Sequence, residues 1–96
     1  MALGIGMTTD LDARRKRAWF RSVRRGTKES DAVIGGFAAR CLDGLDEVQL
    51  ARFEALLDCN DQDLLSWIAG VRSPPAMHDN DVLALMREFE QSLRRS

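Results

Sequence analysis

The stretch Asp46-Glu47-Val48-Gln49-Leu50-Ala51-Arg52-Phe53-Glu54-Ala55-Leu56-Leu57-Asp58-Cys59-Asn60-Asp61-Gln62-Asp63-Leu64-Leu65-Ser66-Trp67-Ile68-Ala69-Gly70 decides the fold class, because it reads as two complete helices with their own start and stop signals. Asp46 begins the first, and Gln49 three positions later makes an Asp variant of the capping box. Val48, Phe53, Leu56 and Leu57 then recur at helical spacing and point toward an interior, with Leu50 and Ala51 beside them. Asn60 caps the next helix, which carries Leu64, Leu65, Trp67 and Ile68, and Gly70 closes it.

Working outward, the period stays helical, and no alternating strand pattern of useful length appears. Upstream, Asp10 is suited to cap a first helix running to about Arg24, with Gly26 suited to ending it. At about 100° per residue, Arg14, Arg17, Arg21 and Arg24 fall on one stripe. Leu11, Ala18, Trp19 and Val23 gather on the core-facing side, and Phe20 lies between the two. A second helix over Lys28–Leu42 buries Val33 or Ile34, Phe37, Cys41 and Leu42. Gly35-Gly36 in its middle costs roughly 1 kcal/mol per glycine relative to alanine, a cost that close packing by another helix would explain.

Downstream, Ser73-Pro74-Pro75 is the clearest break, after which Val82, Leu85 or Met86, Phe89 and Leu93 repeat at helical spacing. The expectation is an all-α, compact five-helix bundle. Residues 1–9 are expected to be a flexible N-terminal extension and residues 10–96 a single domain. Phe37, Phe53, Leu56, Trp67, Leu85 and Phe89 should be buried, and Arg14, Arg17 and Arg21 exposed.

Composition agrees with one small globular domain: of 96 residues, 45% are hydrophobic and 30% charged. No apolar run approaches the roughly eighteen residues of a spanning helix, so no membrane role is expected. Cys41 and Cys59 are too few for a disulfide framework and have no paired spacing, which suits a reducing cytoplasm. Charge is unevenly spread. Residues 10–28 hold eight basic side chains against Asp10 and Asp12, a net of +6, on an otherwise acidic chain.

The residues argue against catalysis. His78 with Cys41 and Cys59 supplies three scattered ligand candidates rather than a paired metal motif. No nucleophile elbow and no glycine-rich phosphate loop occurs. Asp58, Asp61 and Asp63 read as capping and dipole residues at a helix start rather than paired catalytic carboxylates. The arginine stripe could neutralise phosphates, but no base-reading motif accompanies it and the pI is near 5.8. A solvated face or a protein partner therefore ranks above nucleic acid.

The segment Arg24-Arg25-Gly26-Thr27-Lys28-Glu29-Ser30-Asp31 contains Arg-Gly-x-x-Glu followed by x-Asp. It resembles the signature of the FAD assembly factor SdhE family, also called the succinate dehydrogenase assembly factor 2 family. Leu56–Trp67 resembles the family's Leu-Leu, Asn/Asp-Asp-x-Asp and Trp pattern, and Asn80–Phe89 its closing helix. The resemblance spans about residues 14 to 90. It implies a five-helix bundle that binds the flavoprotein subunit of succinate dehydrogenase, or of fumarate reductase, and promotes covalent FAD attachment. FAD would belong to the client, and this chain would hold no cofactor.

The implied partner-binding residues are Arg25, Gly26 and Glu29, with Arg24 and Asp31 as weaker neighbours and Arg21 and Phe20 on the adjoining helix. Arg25 would offer a fork of donors to a client carboxylate or carbonyl. Gly26 would let a partner approach, and Glu29 would accept hydrogen bonds from it. Ser30 stands where the family usually carries an apolar residue. The competing readings are an antitoxin-like or regulatory protein-binding module and, below it, a nucleic-acid binder using the basic first helix. A monomer is expected.

Overall fold

A computed structural model describes the backbone of residues 3–95 and the side chains of residues 10–95. The described residues form five helical rods and a short 3-10 turn, Ala76–His78, ahead of the last of them, with no strand. The first, α1, runs Leu3–Ser22. The second, α2, is a continuous run: an α-helical turn Lys28–Ser30, a π-helical segment Asp31–Gly35, an α-helix Gly36–Cys41 and a closing 3-10 turn Leu42–Gly44. Helices α3 (Glu47–Leu57), α4 (Asp61–Ile68) and α5 (Asp81–Arg95) complete the bundle. The five-helix, all-α expectation holds.

The local start signals work as their chemistry dictates. Asp46 accepts from the Gln49 N–H at 2.8 Å, and the Gln49 side chain accepts from the Asp46 N–H at 3.1 Å, closing the capping box of α3. Asn60 accepts from the Asp63 N–H at 2.8 Å to start α4. Asn80 likewise receives the Val82 and Leu83 N–H groups at 3.1 and 3.2 Å to start α5. At the other extreme, α1 begins before Asp10, which lies inside the helix and not at its cap. No proline blocks the continuation, and a cap preference of about 1 kcal/mol does not by itself stop a helix. Of the expected flexible extension over residues 1–9, residues 3–9 have helical backbone as part of α1, and residues 1 and 2 lie outside the described residues.

Ile34, Phe37, Leu50, Phe53, Leu56, Leu64, Val82, Leu83 and Met86 are fully enclosed and form the core. The Phe37 ring meets Phe53 with centroids 5.6 Å apart and Phe89 edge-on at 6.2 Å, favourable aromatic geometries. Trp67 is buried as expected, while Leu85 and Phe89 are half-buried at the margin.

Two residues assigned to the interior are not there: Trp19 is 36% exposed and Val48 59% exposed. Val48 lies about 200° around α3 from Leu50, whose side chain is the inward one. Among the described side chains of α1, the buried ones are the small Ala18 and Ser22. They let α1 come close to α2 and push Trp19 to the rim.

That close approach explains the glycine pair. A Cβ on Gly35 would lie 3.2 Å from the Ser22 carbonyl oxygen and 3.4 Å from Val23 Cγ1. A Cβ on Gly36 would lie 2.9 Å from the Phe89 ring. The end of α1 therefore rests on one glycine and α5 on the other. The helix-propensity cost secures contact on two sides.

Candidate partner-binding corner

The corner is built where α1 stops and α2 starts. Gly26 adopts φ +113°, a left-handed conformation that side-chain-bearing residues rarely tolerate, and no atom lies within 4 Å of where its Cβ would be. Thr27 then caps α2 by accepting the Ser30 N–H at 3.1 Å. Ser30 is completely buried, and its hydroxyl is satisfied by Thr27 Oγ1 at 2.7 Å and the Thr27 carbonyl at 3.2 Å. A polar residue is thus accommodated where the resemblance implies an apolar one.

The seven candidate residues divide. Arg25 does not present a free fork of donors: its side chain is only 10% exposed. Nε donates to Asp61 Oδ1 at 2.7 Å, Nη1 to the Leu57 carbonyl at 2.9 Å and Nη2 to the Cys59 carbonyl at 3.0 Å, with Nη2 also 2.7 Å from Asp61. Asp31 is exposed but already engaged, accepting the Arg25 backbone N–H at 3.0 Å. Arg21 pairs with Asp58 across the surface.

The outward-facing members are Phe20, Arg24, Gly26 and Glu29. Phe20 is 49% exposed, and the Arg24 guanidinium lies over its ring at 5.5 Å. Glu29, in the first turn of α2, is exposed, and its carboxylate makes no ion pair or hydrogen bond among the described residues. The sequence motif therefore resolves into a joint, Arg25 with its bonded Asp31, and an outward-facing surface around Glu29.

The basic stripe is also divided. Arg14, expected to be exposed, is half-buried and held by Glu54 at 2.8 and 3.3 Å, with Glu47 at 3.6 Å. The hydrogen bond to Glu54, assisted by the charges of Glu54, Glu47 and Asp10, pushes its pKa above the ordinary arginine value. Arg17 is exposed, as expected, and unpaired among the described residues. Two of the four stripe arginines are thus already neutralised within the fold, which leaves less positive surface for phosphates.

His78 is buried, stacked on Trp67 with centroids 5.6 Å apart, and its Nε2 is 3.3 Å from Cys59 Sγ. Burial, and then the charges of Asp58 and Asp63, push the Cys59 thiol above its usual pKa, which disfavours the nucleophilic thiolate. Among the described residues, no three His, Cys, Asp or Glu side chains converge as a metal site would require, and no helix is long and apolar enough to cross a membrane.

Sequence reasoning missed Asp61 as a corner residue, because its partner Arg25 is 36 positions away. It also missed Trp19, which lines a groove of about 610 Å³ between α1 and α2 with Arg15, Lys16, Ala38 and Leu42. The only sequence signal for Asp61 was its place in the Asn60-Asp61-x-Asp63 run.

Comparison with known proteins bears on this geometry. Residues 16–90 match the model of the family described as the flavinator of succinate dehydrogenase. Similar curated proteins include succinate dehydrogenase assembly factor 2-B, mitochondrial, of Drosophila ananassae, 30% identical over 87 residues, which are 88% of this chain and 53% of that protein. Succinate dehydrogenase assembly factor 2, mitochondrial, of Aedes aegypti is also 30% identical, over 88% of this chain and 54% of its own length. The chain thus spans about half the length of these relatives. The family match takes in the corner, the α3–α4 turn and most of α5, and the chain belongs to the family of succinate dehydrogenase flavinators.

Proposed function

We propose that this chain is an assembly factor that binds the flavoprotein subunit of succinate dehydrogenase, or of fumarate reductase, and promotes covalent FAD attachment without a catalytic step of its own. The observation that carries this reading is the presented corner. A carboxylate with no partner among the described residues, Glu29, stands beside an open glycine turn and an exposed Phe20–Arg24 pair, in a chain of the flavinator family. Such a surface offers a charge-assisted acceptor, an aromatic face and a backbone that a partner can approach closely.

FAD belongs to the client in this reading, and the chain acts by holding the client's fold. The working unit is residues 10–96, acting as a monomer. The unpaired Cys41 and Cys59 suit a reducing compartment, and we propose the cytoplasm, whereas the relatives above are named as mitochondrial proteins.

The test is co-expression with a succinate dehydrogenase flavoprotein subunit in cells lacking their native factor. Covalent flavin is then read as fluorescence of the denatured client in a gel. Fluorescence restored by the chain supports the proposal. A client that stays unflavinylated in the presence of soluble chain overturns it, and pull-down of an unrelated protein instead would favour the regulatory-module reading.

A further inference from the structure

We infer that Asp61 is a positioning residue for the corner, acting through Arg25; this rests on the function proposed above. The turn at Gly26 has no Cβ and no neighbour within 4 Å of that position, so it cannot fix its own direction. What fixes it is the residue before. Arg25 reaches from the end of α1 to the α3–α4 turn and engages Asp61, the Leu57 carbonyl and the Cys59 carbonyl with all three guanidinium nitrogens. Its own backbone N–H is held by Asp31 in α2. One residue therefore joins the chain just past α1 to the α3–α4 turn through its side chain and to α2 through its backbone N–H, at the base of the surface that presents Glu29.

Asp61 is suited to the other end of this clamp. It occupies the first position of α4, where the helix dipole favours a carboxylate, and its side chain is 23% exposed with Oδ1 already taken by Arg25. The two carbonyls beside it lie at the end of α3, where helix acceptors lack intrahelical partners. Without the Asp61 charge, Arg25 would be a largely buried cation held only by neutral oxygens. The charge-assisted part of the clamp would be lost.

The first arm of the test needs no client. In the full chain, the Arg25 Nε–H proton and the amides of Thr27–Asp31 are followed by hydrogen exchange, in wild type and in Asp61→Asn, well below the melting temperature. Exchange faster by about tenfold in the variant is expected. Unchanged exchange overturns the clamp.

The second arm measures affinity for the purified flavoprotein subunit in a cycle of Asp61→Asn, Glu29→Gln and the double variant. Asp61→Asn alone should weaken binding about tenfold, and much less once Glu29 has been changed, because both act on the same contact. Full additivity would mean that Asp61 acts independently of the corner, and the inference falls. If wild type itself does not bind the client, the proposed function fails, while the exchange arm still decides whether Asp61 positions the corner. Should Asp61→Asn not fold, Asp61→Glu, which keeps the charge but changes the reach, takes its place in both arms.

Discussion

The glycine pair in α2 and the glycine of the α1–α2 corner look alike in a sequence and do opposite things in the molecule. Gly35 and Gly36 have ordinary helical backbone and are needed because other atoms come within 3.2 and 2.9 Å of where a Cβ would stand. Gly26 has open space around it and is needed because its φ is +113°. One place is defined by what packs on it, the other by the shape of its own backbone. Substitutions at the packed place should change stability. Substitutions at the corner should mainly change what is bound.

The largest expected effect tests the packed side. Phe53→Ala removes a fully buried ring packed at a tilt against Phe37 and should cost about 3–5 kcal/mol, read as a fall in the chemical-denaturation midpoint. A variant with near wild-type stability would mean that the bundle interior is not organised around this pair. Gly35→Val probes the seam itself. With the Ser22 carbonyl and Val23 already in contact range, overpacking should cost about 1–3 kcal/mol, measured the same way. A stabilised variant would show that α1 can move away, and the contrast with Gly26 would dissolve.

At the corner, Gly26→Ala and Gly26→Arg should each cost about 1 kcal/mol for the left-handed backbone, with similar melting temperatures because nothing crowds either side chain. Only the arginine adds bulk where a partner would approach, so client flavinylation should fall with Arg and persist with Ala. Equal activity of the two folded variants would make the corner a helix joint and nothing more. Glu29→Ala should change stability by less than about 0.5 kcal/mol, as surface substitutions usually do, while reducing covalent flavin on the client.

The smallest effect belongs to a control away from both glycine sites. The hydrogen bond from Gln49 at 3.1 Å, and then that from Arg52 at 2.7 Å, hold the Asp81 carboxyl below the ordinary carboxylate range. A depressed folded-state pKa stabilises above the unfolded value, and that stabilisation is lost as pH falls through the folded value. Asp81→Asn should therefore melt slightly below wild type near neutrality, with the gap closing in acid. A gap that persists in acid would assign the loss to packing instead of ionisation.

Legibility followed sequence distance. The Asp46–Gln49 box and the Asn60 cap could be read directly, because each device operates within three residues. Face assignments were less exact. Trp19 lies at the edge of the buried side of α1, where the neighbouring helix settles exposure, whereas Val48 lies across α3 from the buried face that Leu50, Phe53, Leu56 and Leu57 define. The motif falls at the turn between α1 and α2, but it gave no sign that the Arg25 donors are taken within the fold, because their acceptors lie 32 to 36 residues away.

By itself, then, the sequence determined that this chain is helical, where most helices begin, which large side chains form the interior and which short segment carries the family signature. These follow from local hydrogen bonding and from the period of apolar residues, and both act along the chain. Only the tertiary structure decided why Gly35 and Gly36 are glycines, which arginines of the first helix remain free, and that the Arg25 donors are taken within the fold while Glu29 stays exposed. Each of these depends on atoms brought together from distant positions, and a buried cation takes whichever acceptors the fold places within reach.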